Sequence, residues 1–81
     1  MILPSKSIGA NAALITLGAD VLELLDKSPK TVSATWASTR ERYRDRSSAP
    51  LSFEWFVLAL DLLFAIGAIY LTQSGLLELR R

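Results

Sequence analysis

The chain has 81 residues, of which 51% are hydrophobic, and its formal net charge is +1. Cysteine and histidine are both absent, which excludes disulfides, thiolate nucleophiles, Cys/His zinc sites and the commonest general base. A chain of this length has room for one core only, so the high apolar content predicts an exposed apolar patch for a partner or a membrane. The first residues lack the order of a signal peptide, and we expect a cytoplasmic protein.

The first predicted helix spans residues 10–27 and follows an extended lead-in over residues 1–8. Gly18 lies on the apolar face of this helix, which predicts that another element packs closely against it. Ser28 and Pro29 end the helix. Its apolar residues recur at the i, i+3, i+4, i+7 spacing of one buried face: Leu14, Leu17, Val21, Leu24 and Leu25.

A short extended segment, residues 30–32, separates the first helix from a second one that spans residues 33–44. Thr31 or Ser33 can cap this second helix through its hydroxyl group. Charged residues cover most of the helix surface, so we expect only a narrow stripe to be buried. The apolar side chains of that stripe are Val32, Trp36 and Tyr43. Residues 45–50 have the composition of a loop.

The third predicted helix spans residues 52–66 and begins at Ser52, a helix cap, with Glu54 in the first turn. Glu54 and Asp61 are its only polar residues after the cap, so we expect the helix to be buried on at least two sides. One set of apolar side chains is expected to face the core: Phe53, Phe56, Val57, Leu60, Leu63 and Phe64. A second set is expected on an adjoining side, as an apolar anchor with a polar rim: Trp55, Leu58 and Leu62.

Gly67 suits a left-handed helix terminus, and residues 68–80 after it are typical of a β-hairpin with its turn at residues 73–75. The alternation places four apolar side chains on one face of the hairpin: Ile69, Leu71, Leu77 and Leu79. Three helices followed by a hairpin, with a short strand between the first two helices, predict a single α+β domain over residues 1–81. We interpret it as a winged helix-turn-helix in which the hairpin is the wing.

DNA binding is the usual function of such a fold, but the third helix lacks the residues for it. No Lys or Arg occurs between Ser47 and Leu79, whereas base and phosphate contacts require such side chains. The main basic cluster contains two acidic residues and is interpreted as a solvated helix end, an acidic-partner contact or a phosphate contact. Its arginines are Arg40, Arg42, Arg44 and Arg46. A DNA-binding regulator remains an alternative.

Membrane insertion is a second alternative, because residues 55–72 are overwhelmingly apolar. Asp61 argues against it, since a carboxylate near the middle of a span costs roughly 2.5–3.5 kcal/mol. An active site is not expected, because Glu54 and Asp61 lie about 10 Å apart along the helix and no phosphate-binding loop or metal-ligand cluster accompanies them. We therefore predict a protein that is not an enzyme and has no metal or cofactor.

Four segments carry a resemblance to a known family: MILPSKSI, LITLGADVLELL, KTVSATW and LSFEWFVLALDLLFAIGAIYLTQSGLLEL. They resemble the small type of middle component of bacterial ABC three-component systems. The resemblance is strongest from Ser52 to Leu79, whereas residues 38–50 fit no family pattern. It implies a winged-helix-like subunit encoded between a coiled-coil, SMC-like ABC ATPase and a variable effector, in systems of defence against phages or plasmids.

The resemblance also implies a division of labour in which the ATPase does the chemistry and the middle component couples it to the effector. We therefore predict a non-catalytic adaptor in a hetero-complex with the SMC-like ATPase and the effector, with any DNA contact made only through the complex and no membrane. The candidate contact residues are Trp55, Leu58, Leu62, Tyr70 and Leu76.

Overall fold

The computed structural model describes residues 7–44 and 51–81, and the side chains of residues 12–44 and 51–81. These residues form three helices and a small antiparallel sheet, which confirms the predicted α+β class. The elements in chain order are α1 (Ser7–Lys27), β1 (Lys30–Thr31), α2 (Val32–Arg44), α3 (Phe53–Ala65), β2 (Ile69–Leu71) and β3 (Leu76–Leu79).

The start of α1 differs from the sequence-based expectation. Ser7 and Ile8, which we predicted to be extended, are the first residues of the helix. The reason is that Pro4 restricts chiefly the residue before it, so its effect does not reach Ser7. The rest of the predicted lead-in and the loop over residues 45–50 lie outside the described residues.

Hydroxyl caps begin α2 and α3. The Thr31 hydroxyl accepts a hydrogen bond from the Ala34 N–H at 3.0 Å, and the Ser52 hydroxyl accepts one from the Trp55 N–H at 3.2 Å. Each cap satisfies one of the backbone donors that the first turn of a helix leaves without a partner. Thr31 therefore both ends β1 and starts α2.

Gly67 ends α3 as the sequence predicts, with a φ of +75°. Its N–H donates to the Phe64 carbonyl at 3.1 Å, and the Ala68 N–H donates to the Leu63 carbonyl at 2.9 Å. This pair of bonds is the Schellman arrangement, in which a left-handed residue satisfies the last carbonyls of a helix. The chain then turns directly into β2.

The sheet has the order β1-β3-β2, so β3 is the central strand. Leu77 of β3 pairs with Lys30 of β1 on one side and with Leu71 of β2 on the other. Ile69 and Leu77 are buried as predicted, but Leu71, on the same face, is 55% exposed. Leu71 is the last residue of β2, which is an edge strand of the sheet.

One hydrophobic core lies between α1, α3 and the inner face of the sheet. Gly18 of α1 meets α3 at Leu63, where a Cβ atom added to the glycine would lie 3.5 Å from Leu63 Cδ2. The predicted close packing against Gly18 is therefore present, although a methyl group would still fit. The buried members of the core cluster are Val21, Leu25, Phe56, Leu60, Leu63, Ile69 and Leu77.

The buried face of α2 is not the predicted stripe. Thr35 and Thr39 are fully buried, Val32 is exposed, and Trp36 and Tyr43 are half-buried. Both threonine hydroxyls donate to the carbonyl four residues earlier, at 2.8 Å and 2.7 Å, so their polar atoms are satisfied inside the helix. Ranking residues by hydrophobicity alone misses such a face.

The apolar segment over residues 55–72 is divided between α3, the turn at Gly67 and β2. Within the part of the chain that the structure describes, no helix has the length and hydrophobicity to cross a bilayer.

Candidate protein interface

The inward side of α3 is narrower than the sequence suggested. Four of its 13 residues are buried, at the i, i+3, i+4, i+7 spacing of one face: Phe56, Ala59, Leu60 and Leu63. Phe53 and Phe64, which we predicted to face the core, are 52% and 41% exposed. Ala59, which we did not predict in the core, is fully buried.

The rest of α3 is an unusually apolar surface. Only Glu54 and Asp61 are polar among its nine residues that are not buried. We call the seven apolar residues and these two carboxylates the α3 outer face. Its apolar members are Phe53, Trp55, Val57, Leu58, Leu62, Phe64 and Ala65.

One flank of the α3 outer face is aromatic. Phe53 packs edge-on against Trp36 of α2, with ring centroids 5.1 Å apart, and the Arg40 guanidinium lies 5.5 Å from the Trp36 ring centroid. These contacts hold Phe53 in place while half of it stays exposed. A shallow groove of ≈ 540 Å³ opens beside Phe53 and is lined by Phe53, Glu54, Val57 and Leu58.

The opposite flank carries the predicted contact residues of α3. Leu58 is 39% exposed, and Trp55 and Leu62 are half-buried. Ile66, at the end of the helix, is 66% exposed and continues this flank by helical periodicity. Exposed large apolar side chains that adjoin one another are typical of contact surfaces.

The two acidic residues divide the α3 outer face along its length. Glu54 and Asp61 lie seven residues apart and hence on one stripe, about 10 Å from each other along the axis. Neither carboxylate forms an ion pair within residues 12–44 and 51–81. The outer face therefore has negative charge between two apolar flanks.

The other two candidate contact residues lie on a different surface. Tyr70 and Leu76 alternate with the buried Ile69 and Leu77, so they are on the side of the sheet away from the core. Arg80 stacks over the Tyr70 ring at 5.1 Å, and a hydrogen bond to Glu78 raises the pKa of Tyr70 above its usual value. The five predicted residues are thus divided between two surfaces.

The arginine cluster is largely engaged within the chain. Arg42 joins α2 to α1, donating to Glu23 at 2.5 Å and to Asp20 at 3.4 Å, and the Tyr43 hydroxyl donates to Asp20 at 2.7 Å. The hydrogen bond to Glu23 raises the pKa of Arg42. Arg44 pairs with Glu41 in an exposed i, i+3 contact at 3.3 Å.

Arg46 lies outside the described residues. Arg40 is stacked on Trp36, and Arg42 is held by two carboxylates. The Arg44 side chain is 67% exposed and pairs with Glu41 at the surface. In the same described part of the chain, no group of three or more acidic side chains is arranged to hold a metal ion.

Comparison with known proteins identifies the family. The family model for the ABC-three component (ABC-3C) system Middle Component 6 matches residues 3–80, and its description names a component and no reaction. Comparison with curated proteins and with solved structures returned no significant match. The match covers nearly the whole chain and confirms the resemblance noted in the sequence. The chain therefore belongs to the ABC-3C Middle Component 6 family and is one component of a multi-component system.

Proposed function

We propose that this protein is a non-catalytic adaptor that links an SMC-like ABC ATPase to an effector in a bacterial system of defence against phages or plasmids. The observation that carries the proposal is the α3 outer face, on which seven of nine residues are apolar. A surface of this kind costs solubility unless a partner covers it. Membership of a middle-component family supplies the reason for expecting such a partner.

We also propose that the domain is a winged helix, and the order of its elements supports this. In a winged helix, a short strand between the first two helices pairs with the second strand of the C-terminal hairpin. Here β1 pairs with β3 in this way. In a DNA-binding member of such a fold, α3 would be the inserted helix. Here its solvent side has two carboxylates and no cation, so contact with protein is favoured over contact with phosphate.

Co-expression with the two neighbouring genes tests the proposal. We expect the tagged chain to retain the ATPase through purification, and Leu58→Arg to lose it, because a charge would be buried in the apolar contact. Ile15→Arg is the matched control, since Ile15 is 63% exposed on α1 and is not part of the α3 outer face. We expect this variant to bind like the wild type.

The proposal fails if the wild-type chain, folded by circular dichroism, retains neither neighbouring gene product. It also fails if Leu58→Arg and Ile15→Arg bind equally well, because the α3 outer face would then not be the contact surface.

A further inference from the structure

We infer that the α3 outer face binds an amphipathic helix of a partner protein whose apolar face has Lys or Arg residues about two turns apart. The inference rests on the proposed function and adds the chemistry of the partner. It follows from the placement of Glu54 and Asp61 between two apolar flanks.

The face has a shallow, open groove lined by residues of both flanks. Phe53 and Val57 lie on one flank and Leu58 on the other, and Glu54 lies between them by helical periodicity. Helix-in-groove recognition uses apolar anchors at i, i+3, i+4 and i+7 of the bound helix. The length of α3, 13 residues, is about 20 Å and can match two such repeats.

The charged part of the face determines which side chains such a helix must have. Glu54 and Asp61 have no ion-pair partner among the described residues, and a carboxylate covered by an apolar partner would lose its hydration. The described basic residues lie on α1, β1, α2 and the C-terminal end. Cations of the partner, about 10 Å apart like the two carboxylates, would therefore compensate both charges.

Charge also argues against a second copy of the chain as the occupant. In an antiparallel, two-fold pairing of α3 with α3, Glu54 of one copy would face Asp61 of the other. In a parallel pairing each carboxylate would face its own counterpart. Both arrangements bring like charges together on an apolar surface, which costs several kcal/mol.

Charge reversal in the complex tests the inference. We expect Glu54→Lys/Asp61→Lys to weaken binding of the retained neighbouring gene product by about tenfold or more, since two attractions become repulsions. The matched control is Asp26→Lys/Glu41→Lys, which makes the same change of net charge at two carboxylates that are 62% and 65% exposed. Such exposed ion pairs contribute little, and we expect the Kd to change less than about twofold.

A milder double variant controls for misfolding. Glu54→Gln/Asp61→Asn keeps the shapes of both side chains and should reduce the dependence of Kd on salt concentration. A photo-reactive benzoyl-phenylalanine in place of Leu58 should cross-link to a partner segment that has Lys or Arg on its apolar face.

The outcomes separate the inference from the proposed function. If neither neighbouring gene product binds the wild-type chain, the function and the inference both fall. If the complex forms but charge reversal leaves Kd and its salt dependence unchanged, only the inference is overturned. A cross-link to a second copy of the chain, or to its own residues 1–6, overturns the inference as well.

Discussion

At the scale of single residues, two glycines beside α3 have opposite roles. Gly18 has ordinary helical geometry in α1, and a Cβ atom at that position would meet Leu63 at a normal van der Waals distance of 3.5 Å. Gly67 has open space around it but a φ of +75°. Space therefore permits a side chain at Gly18, whereas backbone conformation opposes one at Gly67.

Alanine substitutions at the two glycines should change stability in opposite directions. Gly18→Ala should raise the free energy of unfolding by up to about 1 kcal/mol, because Ala favours the helix over Gly. Gly67→Ala should lower it by about 1 kcal/mol, because L-residues resist the left-handed conformation. Urea denaturation of both variants measures the difference. A destabilised Gly18→Ala variant would show that α1 and α3 pack more closely than the 3.5 Å distance implies.

Tyr70 provides a titration that reports on the outer side of the sheet. Its pKa is raised because its hydroxyl donates a hydrogen bond to Glu78 and is partly desolvated. Since the folded pKa is higher than the unfolded value near 10, the stabilisation is present below that pH and is lost as pH rises through the folded pKa.

The expected result is that Glu78→Gln moves the pKa of Tyr70 back toward its usual value. Tyrosinate absorbance, followed in a Tyr43→Phe background that leaves one of the two tyrosines, measures it. Glu41→Gln, on α2, serves as the control and should leave the titration unchanged. Equal titration curves for the two glutamine variants would contradict the assigned hydrogen bond.

At the scale of elements, the orientation of α3 decides which of its phenylalanines stabilise the fold. Phe56→Ala should lower the free energy of unfolding by about 3–5 kcal/mol, because Phe56 is fully buried in the core. Phe53→Ala should cost about 1 kcal/mol, because half of that ring is exposed and its main contact is with Trp36. Thermal or urea denaturation gives both values. Similar losses for the two variants would place Phe53 inside the core, contrary to the structure.

The ends of the elements were predictable because they depend on local chemistry. Ser52 and Thr31 act through hydroxyl caps, and Gly67 acts through its positive φ. The hairpin was predictable from alternation, since Ile69 and Leu77 both face inward. Each of these features uses residues that are close together in sequence.

The rotation of α3 was not predictable in full, because its apolar residues surround the helix. Periodicity alone permits the buried set around Ala59 and also the predicted set with Phe53 and Phe64. A preference for large residues in the core led to the wrong choice. The buried threonines of α2, Thr35 and Thr39, were missed for the same reason, since their methyl groups pack inside while their hydroxyls bond to the helix.

At the scale of the whole molecule, the described residues form three helices and three strands around one small core, and α3 has more apolar surface than that core covers. Composition alone predicts this surplus of apolar surface. Only the register of the hairpin shows that the candidate contact residues are divided between α3 and the outer side of the sheet. In the proposed adaptor, each of the two surfaces is available to a different partner.

The absence of cysteine permits a direct measurement of whether a partner covers the α3 outer face. With Leu58→Cys as the single thiol, we predict fast alkylation in the isolated chain and alkylation slower by about tenfold or more in the complex, since interface cores exclude water. Ala37→Cys, on the exposed side of α2, should react at the same rate in both states. An unchanged rate for the Leu58→Cys thiol in the complex would contradict the account.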